Sequence, residues 1–189
     1  MKTRLLMLTV AMSCIFAGNA MALTKAEYKT QKDQISADYK VSRDKCAALK
    51  ANAKDICVSE AKGKEKIAKA ELEAQYKPSA KHTQDVAMAK ADAAYDTAKE
   101  KCDDLAGNAK DVCVKDAKAA YVKAKEDAKV AKAAVDTSKE KTEKMSEVKK
   151  EASAEKRDAD YKAAKERCDS LAGAAKDTCL NDAKAKYGM

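Results

Sequence analysis

Tryptophan is absent from this 189-residue chain, and phenylalanine, proline and histidine occur once each, as Phe16, Pro78 and His82. Strands favour aromatic and β-branched side chains, so a β-rich fold is not expected. Gly and Pro are the usual helix breakers. With five Gly and one Pro, long helices have little to interrupt them. Large aliphatics are also scarce. Between Leu23 and Met189 there are 37 Ala but only 18 Leu, Ile or Val, about a tenth of those residues and well under the roughly 20% typical of a packed globular core. Ala, Lys and Glu, all strong helix formers, dominate instead. An all-α chain with Ala-rich helix faces is expected.

Reactive groups are equally sparse. No G-x-S-x-G, H-E-x-x-H or Gly-rich phosphate loop occurs, and His82 stands alone in a polar stretch, where it reads as a solvated linker residue. Carboxylates such as Asp103, Asp104 and Asp111 alternate with Lys at helical spacing, as surface ion pairs do. An enzyme is not expected, nor a cofactor. The pI near 9.0 raises nucleic-acid binding, but Lys and Asp/Glu interleave and leave no continuous basic stripe to follow phosphates. Binding flat on a membrane surface needs a bulky apolar face, which Ala does not supply.

The N-terminus has a compact organisation of its own. Lys2 and Arg4 precede the apolar run Leu5 to Phe16, and Ala20-Met21-Ala22 ends it with small residues at the first and third places. That is the pattern of a cleavable secretory signal peptide, with cleavage expected after Ala22. The run is short of the roughly 20 residues a spanning helix needs. Cys14 lacks the upstream Leu of a lipoprotein site and falls within the discarded segment. No integral membrane segment would then remain, and the chain would reside in the periplasm or outside the cell. The net charge of +8 becomes +6 once Lys2 and Arg4 are gone. Seven Cys become six, an even number suited to disulfides in an oxidising compartment.

Those six cysteines organise the rest. Three segments align without gaps: Tyr39, Cys46, Leu49 and Cys57; Tyr95, Cys102, Leu105 and Cys113; Tyr161, Cys168, Leu171 and Cys179. Self-similarity of this kind is the mark of a repeat architecture. Tyr, Cys and Leu at relative positions 0, 7 and 10 form one helical stripe, with Ser42, Ala98 or Ala164 at position 3. The second Cys has Ala four before and four after it (Ala53 and Ala61, Ala109 and Ala117, Ala175 and Ala183), a second small-residue face. Eleven residues of straight helix rise about 16 Å, whereas bonded cysteines have Cα atoms about 5.5–6 Å apart. The chain must therefore turn between them. Gly107 and Gly173 lie near the midpoint, where a glycine closes the first helix, and Asn52 and Asn108 can cap the second. Pairing within each copy gives three disulfide-stapled antiparallel hairpins. Metal ligation by these thiolates would need closer spacing and more His.

The expected organisation is a signal peptide over 1–22, hairpins over 23–77 and 78–135, a charged helical connector over 136–154 and a third hairpin over 155–189. Pro78 with Ser79 separates the first two hairpins. Between Gly107 and Gly173 no Gly or Pro intervenes, so either one rod or a folded-back bundle fits, with Asp136-Thr137-Ser138 or Lys144 to Ala154 as candidate breaks.

The Ala/Lys/Asp/Glu texture of Asp116 to Ala164 resembles the helical rod of the envelope protein TolA. It also resembles exported proteobacterial hairpin-repeat proteins loosely labelled TolA-like or cell-envelope biogenesis. A second likeness is to the late embryogenesis abundant proteins, whose Lys/Ala-rich repeats fold on drying. The first resemblance implies an envelope structural or interaction module with a protein partner or self-association. The second implies a stress-related protectant, or a protein sequestering metal ions or anionic polymer.

Overall fold

The computed structural model describes residues 23–135 and 141–189. The expected signal peptide and the candidate break at Asp136-Thr137-Ser138 lie outside the described residues. Six helices follow in order: α1 (Lys25–Cys46), α2 (Ala51–Tyr76), α3 (Ala80–Cys102), α4 (Gly107–Val135), α5 (Lys141–Cys168) and α6 (Gly173–Tyr187). No strand occurs among the described residues. The chain is all-α.

Local chemistry sets the helix ends. Thr24 accepts from the backbone N–H of Glu27 while the Glu27 carboxylate accepts from the Thr24 N–H, a reciprocal capping box. Pro78 has no N–H to continue α2, and Ser79 then caps α3 through the backbone N–H of His82 at 3.1 Å. The His82 ring, expected in a solvated linker, lies in the first turn of α3 with Nδ1 bonded to the Lys77 carbonyl. It closes the proline turn. Cys46, Cys102 and Cys168 each end a helix.

Among the described residues, each helix packs only on its neighbours in sequence. α1 with α2, α3 with α4, and α5 with α6 make the three hairpins, and α2/α3 and α4/α5 join them. Lys66 to Asp92 and Lys90 to Glu71 run in opposite order along α2 and α3. Arg167 to Asp116 and Lys123 to Asp160 do the same along α4 and α5. All neighbours are therefore antiparallel, in an open zigzag of helices. The choice between rod and bundle is settled by α5, which returns along α4. Residues 141–154 of the expected connector form the first half of α5, with Ala152 buried.

The interior is thin, as composition requires. Its buried apolar residues are Ala and Cys, with Leu72 the one large aliphatic among the described residues. Ala buries one methyl, so its hydrophobic contribution is small. What Ala does permit is close helix approach.

Candidate interaction surfaces

The cysteines pair as their spacing predicts. Cys46–Cys57, Cys102–Cys113 and Cys168–Cys179 are disulfides with Cα separations of 5.6, 5.6 and 5.7 Å. Cys46, Cys102 and Cys168 are fully buried, and in each hairpin the bridge sits at the turn. Tyr39, Tyr95 and Tyr161 are half-buried on the same helix face. Tyr95 meets Tyr121 across its hairpin, with ring centroids 5.2 Å apart.

Four expectations about the repeat need correction. Leu49, Leu105 and Leu171 do not extend the buried stripe, because the helix ends at the preceding Cys. Each Leu N–H bonds the carbonyl of that Cys at 3.0 Å, and the side chains are 43%, 44% and 42% exposed. Of the alanines around the second Cys, Ala61 and Ala183 are buried and Ala117 half-buried, whereas Ala53, Ala109 and Ala175 are exposed. Gly107 and Gly173 open the second helix of each hairpin rather than closing the first. Their φ values are +55° and +56°, a left-handed conformation that glycine adopts freely.

The first hairpin has Ala51 at that position, with φ 47°. A Cβ there costs roughly 1–2 kcal/mol. Ala51→Gly is therefore expected to stabilise the protein by about 1 kcal/mol, read as a rise in thermal midpoint. Gly107→Ala should lower it by a similar amount.

Asn52 and Asn108 are not helix caps either. The Asn52 side-chain amide donates to the Glu100 carbonyl at 2.6 Å, and that of Asn108 to the Glu166 carbonyl at 3.1 Å. Both acceptors lie two residues before the first Cys of the following hairpin. Each Asn thus ties its hairpin to the next one. Ion pairs repeat in the same register. Glu60 and Asp116, fourteen residues after the first Cys of their copies, pair with Lys101 at 3.5 Å and with Arg167. Both cations immediately precede the next copy's first Cys.

Between these ties the helices touch through small residues. Gly63 of α2 faces Ala93 of α3 so closely that a Cβ built on it would lie 2.7 Å from the Ala93 Cβ. Ala119 occupies the Gly63 position in the second copy and packs with Ala159 and Ala163. Grooves flank the Gly63–Ala93 contact. One is lined by Asp55, Lys62, Lys66, Asp96 and Glu100, the other by Ile67, Ala94 and Ala98 with Lys at its rim. Charges of both signs line the first.

At the far end, Tyr28 donates its hydroxyl hydrogen bond to Glu73 at 2.6 Å and stacks on Tyr76 with centroids 4.4 Å apart. That hydrogen bond holds the Glu73 carboxyl below its ordinary value, against a smaller opposing effect of burial. Asp92 is pushed up by burial, but hydrogen bonds from Lys66 and Tyr121 outweigh this and leave it lowered. Asp169 is lowered by its hydrogen bond and ion pair with Lys176. Depressed folded-state values mean that these carboxylates favour the folded state above their ordinary range near pH 4. That contribution is lost as pH falls through the depressed values. Acid titration followed by circular dichroism should show helicity level from neutral pH to about 4 and declining below it.

Among the described residues no three His, Cys, Asp or Glu side chains converge with metal-binding geometry, and no helix is long and apolar enough to cross a membrane. The recurring geometry is that of hairpin-to-hairpin contact. The signal for it lay in the aligned Asn, acidic and basic positions, which sequence reading assigned to capping and to solvated surface. No protein-family model, curated protein or solved structure matches the chain.

Proposed function

We propose that the chain is a non-enzymatic helical-repeat module of the bacterial envelope, exported to the periplasm, and that it works by structural support or protein interaction. The observation that carries this reading is the repetition of contacts. Asn52 and Asn108, with the pairs Glu60–Lys101 and Asp116–Arg167, join successive hairpins at equivalent positions. The repeated residues are thereby spent on stacking, as in other arrays whose units contact only their neighbours. Their exposed faces are left to meet a partner. Three disulfides suit an oxidising compartment and accord with the export signal. The stapled hairpins and their specific inter-hairpin contacts favour a preformed module over a protectant that folds on drying.

Photo-crosslinkers placed at exposed positions in successive hairpins, such as Lys64 on α2 and Lys118 on α4, test this in intact cells. Discrete adducts with envelope proteins or with further copies of the chain are expected. A bound cofactor or a specific turnover in protein purified from the periplasm would contradict the proposal.

A further inference from the structure

The outer face of α1 and the outer face of α6 carry the two halves of the contact that joins hairpins inside the chain. At the position of Gly63 and Ala119, both buried, α6 has Ala185, which is exposed. At the position of Ala93 and Ala159, both buried, α1 has Ala37, also exposed. The acid that joins hairpins, Glu60 or Asp116, is matched by Asp182. Its cation, Lys101 or Arg167, is matched by Lys45. Asp182 and Lys45 are both exposed. Val41, 55% exposed on α1, takes the position of Thr97 and of the buried Ala163. Placing α6 of one molecule against α1 of another would seat Ala185 on Ala37, as Ala119 sits with Ala159. It would also set Asp182 beside Lys45, as Asp116 sits beside Arg167.

We infer that the protein associates head to tail, with α6 of one copy docking on α1 of the next and extending the zigzag across molecules. This rests on the interaction-module reading and names the partner as a second copy. The contact is heterologous, so each molecule added presents a fresh α6 or α1 face and growth need not close. Two differences make it weaker than the internal junctions. Ala174 stands where Asn52 and Asn108 donate their hydrogen bonds. α6 has 15 residues, against 26 and 29 in α2 and α4, so less of α1 is covered.

Sedimentation velocity on the oxidised full-length protein, over a wide concentration range, tests the inference. The weight-average mass should rise with concentration past that of a dimer and fall in high salt. Lys45→Glu sets like charges opposite each other and should weaken association about tenfold or more. Combining it with Asp182→Lys restores opposite signs and should recover association. Ala174→Asn supplies the missing donor and should tighten it about five- to tenfold. All these positions are exposed, and unchanged circular dichroism confirms that each variant folds. A monomer at every concentration, or an association indifferent to Lys45→Glu, overturns the inference. Either result obtained alongside crosslinks to a different envelope protein leaves the interaction-module reading standing.

Discussion

Reduction of the three disulfides is expected to abolish the cooperative thermal melt of this protein near room temperature, or lower its midpoint by tens of degrees. Each bridge closes a loop of about a dozen residues, worth about 2–3 kcal/mol in the loop-entropy treatment. Stability in such arrays is close to a sum over units and their contacts, so three bridges amount to about 6–9 kcal/mol. Whole domains are stable by only about 5–15 kcal/mol. Packing cannot make up the difference, because the interior is Ala and Cys with Leu72 as its one large buried aliphatic among the described residues. Far-UV circular dichroism with and without a phosphine reductant is the check. Replacing Cys102 and Cys113 by Ser should have the largest effect of the three pairs, because that hairpin adjoins both others. A melt unaffected by reductant would show that helix packing alone holds the fold.

The second large effect is expected at Gly63. A single methyl there would meet the Ala93 Cβ at 2.7 Å, and that atom is fixed to the α3 backbone and cannot rotate away. Gly63→Leu forces α2 and α3 apart, separates the groups joined by Asn52 and Lys101, and should cost about 3 kcal/mol. Because only α2 and α3 connect the first hairpin to the rest, the variant should melt in two steps. The first hairpin would go separately from the second and third. Gly63→Ala is a milder case. It gains about 1 kcal/mol of helix propensity against a smaller separation, and the α4/α5 contact already seats Ala119 against Ala159 at these repeat positions. Its net effect should be small. A single unshifted transition for Gly63→Leu would mean that the α2/α3 contact contributes little.

Helicity, cysteine pairing and the Pro78 break were legible in the sequence because each rests on a local rule: propensity, Cα distance and a missing N–H. The position of Leu49, Leu105 and Leu171 was not. A period-3.6 pattern continues through a helix end, and the turn after each Cys redirects the side chain to solvent. The role of Asn52 and Asn108 was hidden for a different reason. An Asn at a helix start satisfies the capping pattern locally, and its real acceptor lies 48 or 58 residues away. Gly63 did carry a signal, since an isolated Gly inside a helix often marks close approach. Ala51 could have been found from the gapless alignment, in which it matches Gly107 and Gly173. The return of α5 along α4 stayed open between rod and bundle, because no Gly or Pro marks a reversal there and Asp136-Thr137-Ser138 was one of two candidate breaks.

Each repeat is an independently stapled hairpin. Disulfide mapping checks this pairing, by non-reducing proteolysis and mass spectrometry of protein purified without reductant. The expected bridges are Cys46–Cys57, Cys102–Cys113 and Cys168–Cys179, with no free thiol among these six residues. A bridge between repeats, or a substantial fraction of reduced cysteine, would contradict it.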